Sequence, residues 1–321
     1  MNEMSSKPDP LDSLFAPEDW EDYEGDRIMG ATRKSRARLP RDSGWALRLN
    51  EVVARANKSV FTPAPSPDGR KTLFAAEGDI DTAPRAETWA GLRVIQPRAR
   101  KYELGGAPLA HHYRDSAVSR AFDLLRTRLM HTLRQNGWTR IAIAAPTRGC
   151  GATFTSVNLA MSLSRVPNSR SILMDMDQRN PGVADALDVH GVGEIRHFLS
   201  GQVPMSQHIV RLSDTLALGL NTLPFQDSAD ILHDRTTTRV LDDMHTALTP
   251  DVVLYDMPAV LAYDDLGAFL PQVDGVLLIS DATKTTARDI AECERVLAGQ
   301  APLLGVILNR ARASSVQKYS Q

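Results

Sequence analysis

Cysteine is nearly absent: Cys150 and Cys293 are the only two in 321 residues. Two thiols cannot supply the disulfide framework of a small secreted domain. No basic segment followed by a signal-peptide-like apolar stretch opens the sequence, so a reducing, cytoplasmic setting is expected. Long apolar runs are also missing. GVLLIS, residues 275–280, is only strand-sized, whereas a membrane-spanning helix takes about 20 apolar residues. Direct membrane insertion is therefore not expected, and attachment would need a partner. Neither sign of charge is in excess, with 37 Lys and Arg against 39 Asp and Glu and a net charge of −2. No global field draws the chain to nucleic acid or anionic lipid, and no basic stripe for DNA is evident. The 8 histidines form no H-E-x-x-H or Cys/His metal spacing, and no G-x-S-x-G elbow occurs. Zinc and serine-hydrolase chemistry thus have no support.

Apolar residues make up 42% of the chain and charged residues 24%, which suits a soluble globular core. Residues 1–106 lack periodicity: an acidic block from Asp9 to Asp26 gives way to Arg27, Arg33, Lys34, Arg36, Arg38 and Arg41. FTPAPSPDGR, residues 61–70, then reads as a linker, because each proline removes a backbone donor. This region is expected to be a disordered tail. Its apolar islands, Trp45–Val53 and Trp89–Ile95, read more simply as residual hydrophobicity than as docking segments. A folded domain is expected over 107–313, followed by a short tail over 314–321.

Within that domain, Val118, Phe122, Leu125, Leu129 and Leu133 recur at helical spacing, and Asn136-Gly137 supplies a stop signal. Apolar runs then alternate with helical stretches: 140–145, 171–175, 216–223, 251–256, 275–280 and 303–309. That pattern predicts a doubly wound α/β fold with a mostly parallel sheet covered on both faces. Ligands of such sheets bind beyond the carboxyl ends of the strands. After the first run comes PTRGCGATFTSVNLAMSLSR, a glycine turn entering a helix, where backbone N–H groups form a nest for phosphate. Alone, Gly149-x-Gly151 is equally compatible with a purely structural turn. Asp175 and Asp177 close the second run, and Asp256 closes the fourth in the manner of a Walker B carboxylate. Three carboxylates on two strand tips beside a glycine turn suit Mg²⁺ and its waters.

The ordered set GCGAT, ILMDMDQRNP, VVLYDMPAVLAYDD, GVLLISDATKT and LLGVILNR, with the preceding helix AFDLLRTRL, resembles the bacterial tyrosine kinase family. That family serves capsule and exopolysaccharide biosynthesis within the ParA/MinD-like P-loop ATPases. The likeness covers residues 115–312. It implies ATP or ADP with Mg²⁺ on the turn Arg148, Gly149, Cys150, Gly151, Ala152, Thr153 and Phe154. By the same resemblance Asp175, Asp177 and Asp256 are catalytic, Thr153, Asp175 and Asp256 hold the metal, and Asn309 lies at the adenine. Three departures stand out. The P-loop lysine position is Ala152, the tail offers only Tyr319 in place of a tyrosine cluster, and the E-x-x-R-x-x-R self-association motif reads Arg120, Asp123, Arg126. Losing one donor to a transferring phosphoryl group costs about 2.7–4 kcal/mol, so nucleotide binding is expected to be weak or lost. Arg148 could supply a replacement cation, although a solvated loop arginine is the simpler reading.

The resemblance implies a cytoplasmic regulatory component of polysaccharide biosynthesis and export with a degenerate nucleotide site. A membrane-embedded chain-length regulator is the expected partner, holding the chain at the inner face of the membrane. An active tyrosine autokinase and a ParA/MinD-like positioning ATPase are the alternatives. Self-association stays open.

Overall fold

The computed structural model describes residues 85–96, 103–104, 107–108, 116–189 and 193–311. The chain divides into two units, Arg70–Arg310, and Met1–Gly69 with Ala311–Gln321. All described residues but Ala311 belong to the first. Residues 1–84, 97–102 and the tail after Ala311, with Tyr319, lie outside the described residues.

The main sheet has seven strands, β1 (Arg140–Ala144), β2 (Ser171–Asp175), β3 (Ile209–Arg211), β4 (Leu216–Gly219), β5 (Val252–Asp256), β6 (Gly275–Asp281) and β7 (Leu303–Asn309). Their order is β3-β4-β2-β5-β1-β6-β7. Every neighbouring pair is parallel except β3 with β4. Side chains alternate across a strand, and the sheet separates two cores accordingly. Ile172, Met174, Val253 and Tyr255 lie in one core, and Ile141, Ile143, Leu173 and Leu254 in the other. Burial on both faces explains why these strands read as continuous apolar runs.

Helix α1 spans Arg85–Ala90, α2 Ala117–Asn136, α3 Ala152–Leu163, α4 Arg235–Leu248 and α5 Ala287–Leu297, with shorter helical turns between them. The Ser116 side chain caps α2 by accepting from the Ser119 N–H. Gly137, at φ 68°, ends it where the Asn-Gly signal predicts. Phe122, Leu129 and Leu133 of α2 are buried. Helix α3 is buried from Thr155 to Ala160 and again at Ser162 and Leu163. It is wrapped by α2 and the sheet, so its sequence lacks a polar face.

Two features depart from the sequence reading. Trp89–Ile95, assigned to the tail, packs on the domain. Trp89 is buried, its indole N–H donates to the Asp214 carbonyl at 2.8 Å, and the Arg170 guanidinium lies 5.2 Å from its ring centroid. The Arg211 N–H donates to Arg93 and the Ile95 N–H to the Arg211 carbonyl, which gives β3 a parallel rung on its open edge. The second feature is β3 itself, antiparallel and three residues long.

Candidate functional site

The turn after β1 is exposed from Thr147 to Gly149 and runs into α3. Gly149 and Gly151 adopt φ of 75° and 95°, which strain any residue with a side chain. Gly151 is required twice over, because a Cβ there would collide with the Asn309 carboxamide. Three successive carbonyls of the turn accept side-chain bonds from the ends of β6 and β7. The Lys284 ammonium donates to Arg148 at 2.7 Å, Arg310 to Gly149 at 3.1 Å and the Asn309 carboxamide to Cys150 at 2.9 Å. Binding the carbonyls from outside leaves the amides of the turn and of the α3 N-terminus available to an anion.

On the other side stand the acids. Asp175 and Asp256 are opposite one another in the β2–β5 ladder and are wholly buried. Asp175 Oδ2 accepts from the Gly182 and Val183 N–H groups at 3.1 and 3.0 Å. Asp256 Oδ1 accepts from the Ser156 hydroxyl at 2.8 Å, and the Thr153 hydroxyl lies near the same carboxylate. Asp175 Oδ1 and Asp256 Oδ2 are buried without a hydrogen-bond partner among the described residues. Burial, and then the Asp256 charge, push the Asp175 pKa well above the carboxylate range, against the two N–H bonds. Burial likewise raises Asp256, against the Thr153 and Ser156 hydroxyls. Asp177 is pushed up to about 6, mainly by burial, with the Asn180 N–H and the Arg148 charge opposing. Two orphaned carboxylate oxygens beside a helix N-terminus fit a cation bound to an anion. Among the described residues no three His, Cys, Asp or Glu side chains converge as a closed metal cage. Mg²⁺ with a nucleotide needs none, since it keeps waters and phosphate oxygens as ligands.

The fold thus brings Gly149, Gly151, Ala152, Thr153, Asp175, Asp177 and Asp256 together at the carboxyl ends of the central strands. Phe154 points away from that group, edge-on to Phe122 at 6.0 Å. Cys150 is buried between the Thr147 and Thr285 hydroxyls, the setting of a packing residue. Asn309 ties the turn through its amide, while its Oδ1 accepts from the Arg310 N–H. Ser156, Lys284 and Arg310 escaped the sequence reading. So did buried Asp265, which accepts from Arg179 at 3.0 Å and from Ser228, while Arg179 stacks over Tyr263. A Ser one turn into α3 was the detectable signal among them. At the altered self-association motif, Asp123 pairs with Arg126 and Arg165, and Arg126 also donates to the Ser162 carbonyl at 3.0 Å.

No family model matches the chain. It is 26% identical over 257 residues, 75% of its length, to EpsB of Ralstonia nicotianae, which is named as a tyrosine-protein kinase. It is 26% identical over 188 residues, 56% of its length, to the succinoglycan biosynthesis transport protein ExoP of Rhizobium meliloti. To tyrosine-protein kinase YwqD of Bacillus subtilis it is 23% identical over 206 residues, 64% of this chain and 86% of that one. The chain spans only 33% of EpsB and 23% of ExoP. Among solved structures, the kinase domain of Escherichia coli tyrosine kinase ETK matches with a TM-score of 0.57 and 22% identity over 70% of this chain and 92% of that one. The VpsO kinase domain matches with a TM-score of 0.55 and 21% identity over 62% and 99%. The sequence resembles bacterial tyrosine kinases, and the fold is that of their kinase domains. Among the described residues no helix is long and apolar enough to cross a membrane.

Proposed function

We propose that this chain is a bacterial-tyrosine-kinase-like component of exopolysaccharide or capsule biosynthesis and export, acting through a nucleotide site altered on its phosphate side. The observation that carries the proposal is the pairing of unpartnered buried oxygens on Asp175 and Asp256 with the Gly149–Gly151 turn, in a chain similar to EpsB and ExoP. Thr153, Asp175 and Asp256 would hold Mg²⁺, directly or through water, and the amides of the turn would hold phosphate. A bound Mg-nucleotide supplies a transferable phosphoryl group and a divalent charge. The chain's own residues orient it: Ser156 fixes Asp256, and the Gly182 and Val183 amides fix Asp175. With Ala152, α3 itself presents no cation to the transferring phosphoryl group, so a regulatory role with weakened nucleotide binding is favoured over autokinase activity. The partner is a membrane-embedded chain-length regulator, which would hold the protein at the inner face of the membrane.

Incubation of the purified chain with Mg-ATP, followed by phosphotyrosine detection, tests the regulatory assignment. Little or no signal is expected, and a robust signal lost in Asp256→Ala would establish the autokinase instead. Recovery with membranes only when the chain-length regulator is present is the expected result for the partner. Recovery wholly in the soluble fraction of polymer-producing cells would refute it.

A further inference from the structure

Lys284 is the only lysine between Lys101 and Lys318. It stands in the turn after β6, and besides its bond to the Arg148 carbonyl its ammonium would lie 3.3 Å from a Cβ on Gly149. The charge therefore rests against the bare side of the phosphate turn.

The segment that presents it is tightly built. Asp281, buried at the end of β6, accepts from the Thr283 N–H at 2.9 Å and the Thr283 hydroxyl at 2.7 Å. The Asp281 N–H donates to the Thr285 hydroxyl at 2.9 Å, and a capping box between Thr286 and Asp289 fixes the start of α5. Burial opposes ionisation of Asp281, but the Thr283 and Arg310 contacts outweigh it and hold its pKa below the usual range.

Three cations flank the turn, and their surroundings differ. Arg310 is paired with the Asp281 carboxylate at 2.5 Å. The Arg148 charge acts on Asp177. Lys284 meets a neutral carbonyl and forms no ion pair among the described residues. A charge-assisted bond to a phosphate oxygen is roughly twice as strong as one to a neutral acceptor, and the flexible stem of lysine lets the ammonium exchange one for the other. The orphaned oxygens of Asp175 and Asp256 across the site independently point to a cation-bound anion there.

We propose that Lys284 supplies the phosphate cation that α3 lacks at Ala152, so that the terminal phosphates lie between the α3 N-terminus and a lysine delivered by the turn after β6. This rests on the nucleotide reading above. Titration calorimetry of the full chain with Mg-ADP tests it. Lys284→Met is expected to weaken binding by about tenfold or more, and Lys284→Arg to stay within about threefold of wild type. Arg288→Gln, which removes an exposed cation four residues further on, should change affinity by less than about twofold. Adding Ala152→Lys to Lys284→Met should restore binding, which a lysine that merely tethers the turn would not permit. The thermal midpoint of Lys284→Met without nucleotide shows that the variant is folded.

Wild-type affinity in Lys284→Met would overturn the assignment and leave the nucleotide reading standing. So would a loss that Ala152→Lys fails to restore. Binding by Ala152→Lys alone, with none in the wild type, would refute the role of Lys284 while upholding the site. Absence of binding in every variant would refute both.

Discussion

The acidic half of the site is wholly buried and carried by adjacent strands, with Asp175 and Asp256 at one level of a single ladder. The phosphate half is exposed at Arg148 and Gly149, and its shape depends on side chains 136 to 161 residues away in sequence. The first half stores unfavourable electrostatics, two carboxylates desolvated side by side, and gains from a cation. The second avoids backbone strain only because glycines hold its left-handed positions, and it gains little on its own. The two halves are held by different elements, so on the reading proposed above the acidic half does not depend on the residue at position 152.

Neutralising the acidic half should separate stability from binding most clearly. Asp256→Asn is expected to lower Mg-ADP affinity by about 100-fold, roughly 3 kcal/mol, in calorimetry. The same change should raise apo stability by roughly 1–2 kcal/mol, since a buried like-charge pair is relieved. Parallel losses in both would show that Asp256 is mainly structural.

In the phosphate half the expected sign is the ordinary one. Gly151→Ala, at φ 95° and with its Cβ driven toward Asn309, should cost roughly 3 kcal/mol in urea unfolding. Adding Asn309→Ala should recover only the steric part of that loss. Full recovery would show that the left-handed backbone costs nothing.

A group in neither half checks that electrostatic strain is not general to the fold. His208 is 2% exposed and stacked on Phe198 at 5.1 Å, and burial, helped by the His197 charge, lowers its pKa to about 4. The unfolded chain therefore binds the extra proton first, so stability is lost as pH falls from about 6.5 to about 4, by roughly 3 kcal/mol in full. The site acids, with raised pKa values, act in the opposite direction over the same range. The signature is thus the difference between the wild-type and His208→Phe stability profiles, which should open below pH 6.5 and be flat above it. A constant difference at all pH values would rule out the buried neutral imidazole.

The smallest effect belongs to the strut that ties the turn after β1 to the end of β6. Arg310→Met leaves buried Asp281 with its Thr283 bonds but without its counter-charge. A loss of about 1 kcal/mol is expected, because the arginine is half exposed. A neutral result would mean that Thr283 alone satisfies Asp281.

The central parallel strands could be read in the chain because each is buried on both faces and so is largely apolar, while the edge strand β7 is part-buried but still an apolar run. The Asn-Gly stop of α2 was readable because a left-handed cap has a strong residue preference. Strand β3, with three residues and no turn signal, has too little pattern to separate from a loop. The segment around Trp89 looked like tail because its partners, Asp214, Arg170 and Arg211, are distant in sequence. At the site, the glycine turn and the three aspartates were evident from strand-tip position and order. Ser156, Lys284 and Arg310 were not, since each resembles an ordinary helix or loop residue until the sheet is assembled.

The sequence by itself determined six of the seven strands of the main sheet and helix α2, that the aspartates end strands, and that position 152 carries no cation. Local pattern suffices there, because burial period and capping are properties of a few consecutive residues. Only the tertiary structure decided which cation stands by the phosphate turn. The order β5-β1-β6-β7 sets the carboxyl ends of β6 and β7 beside the turn after β1, and a side chain of fixed length interacts with whatever lies within reach in space, regardless of separation along the chain.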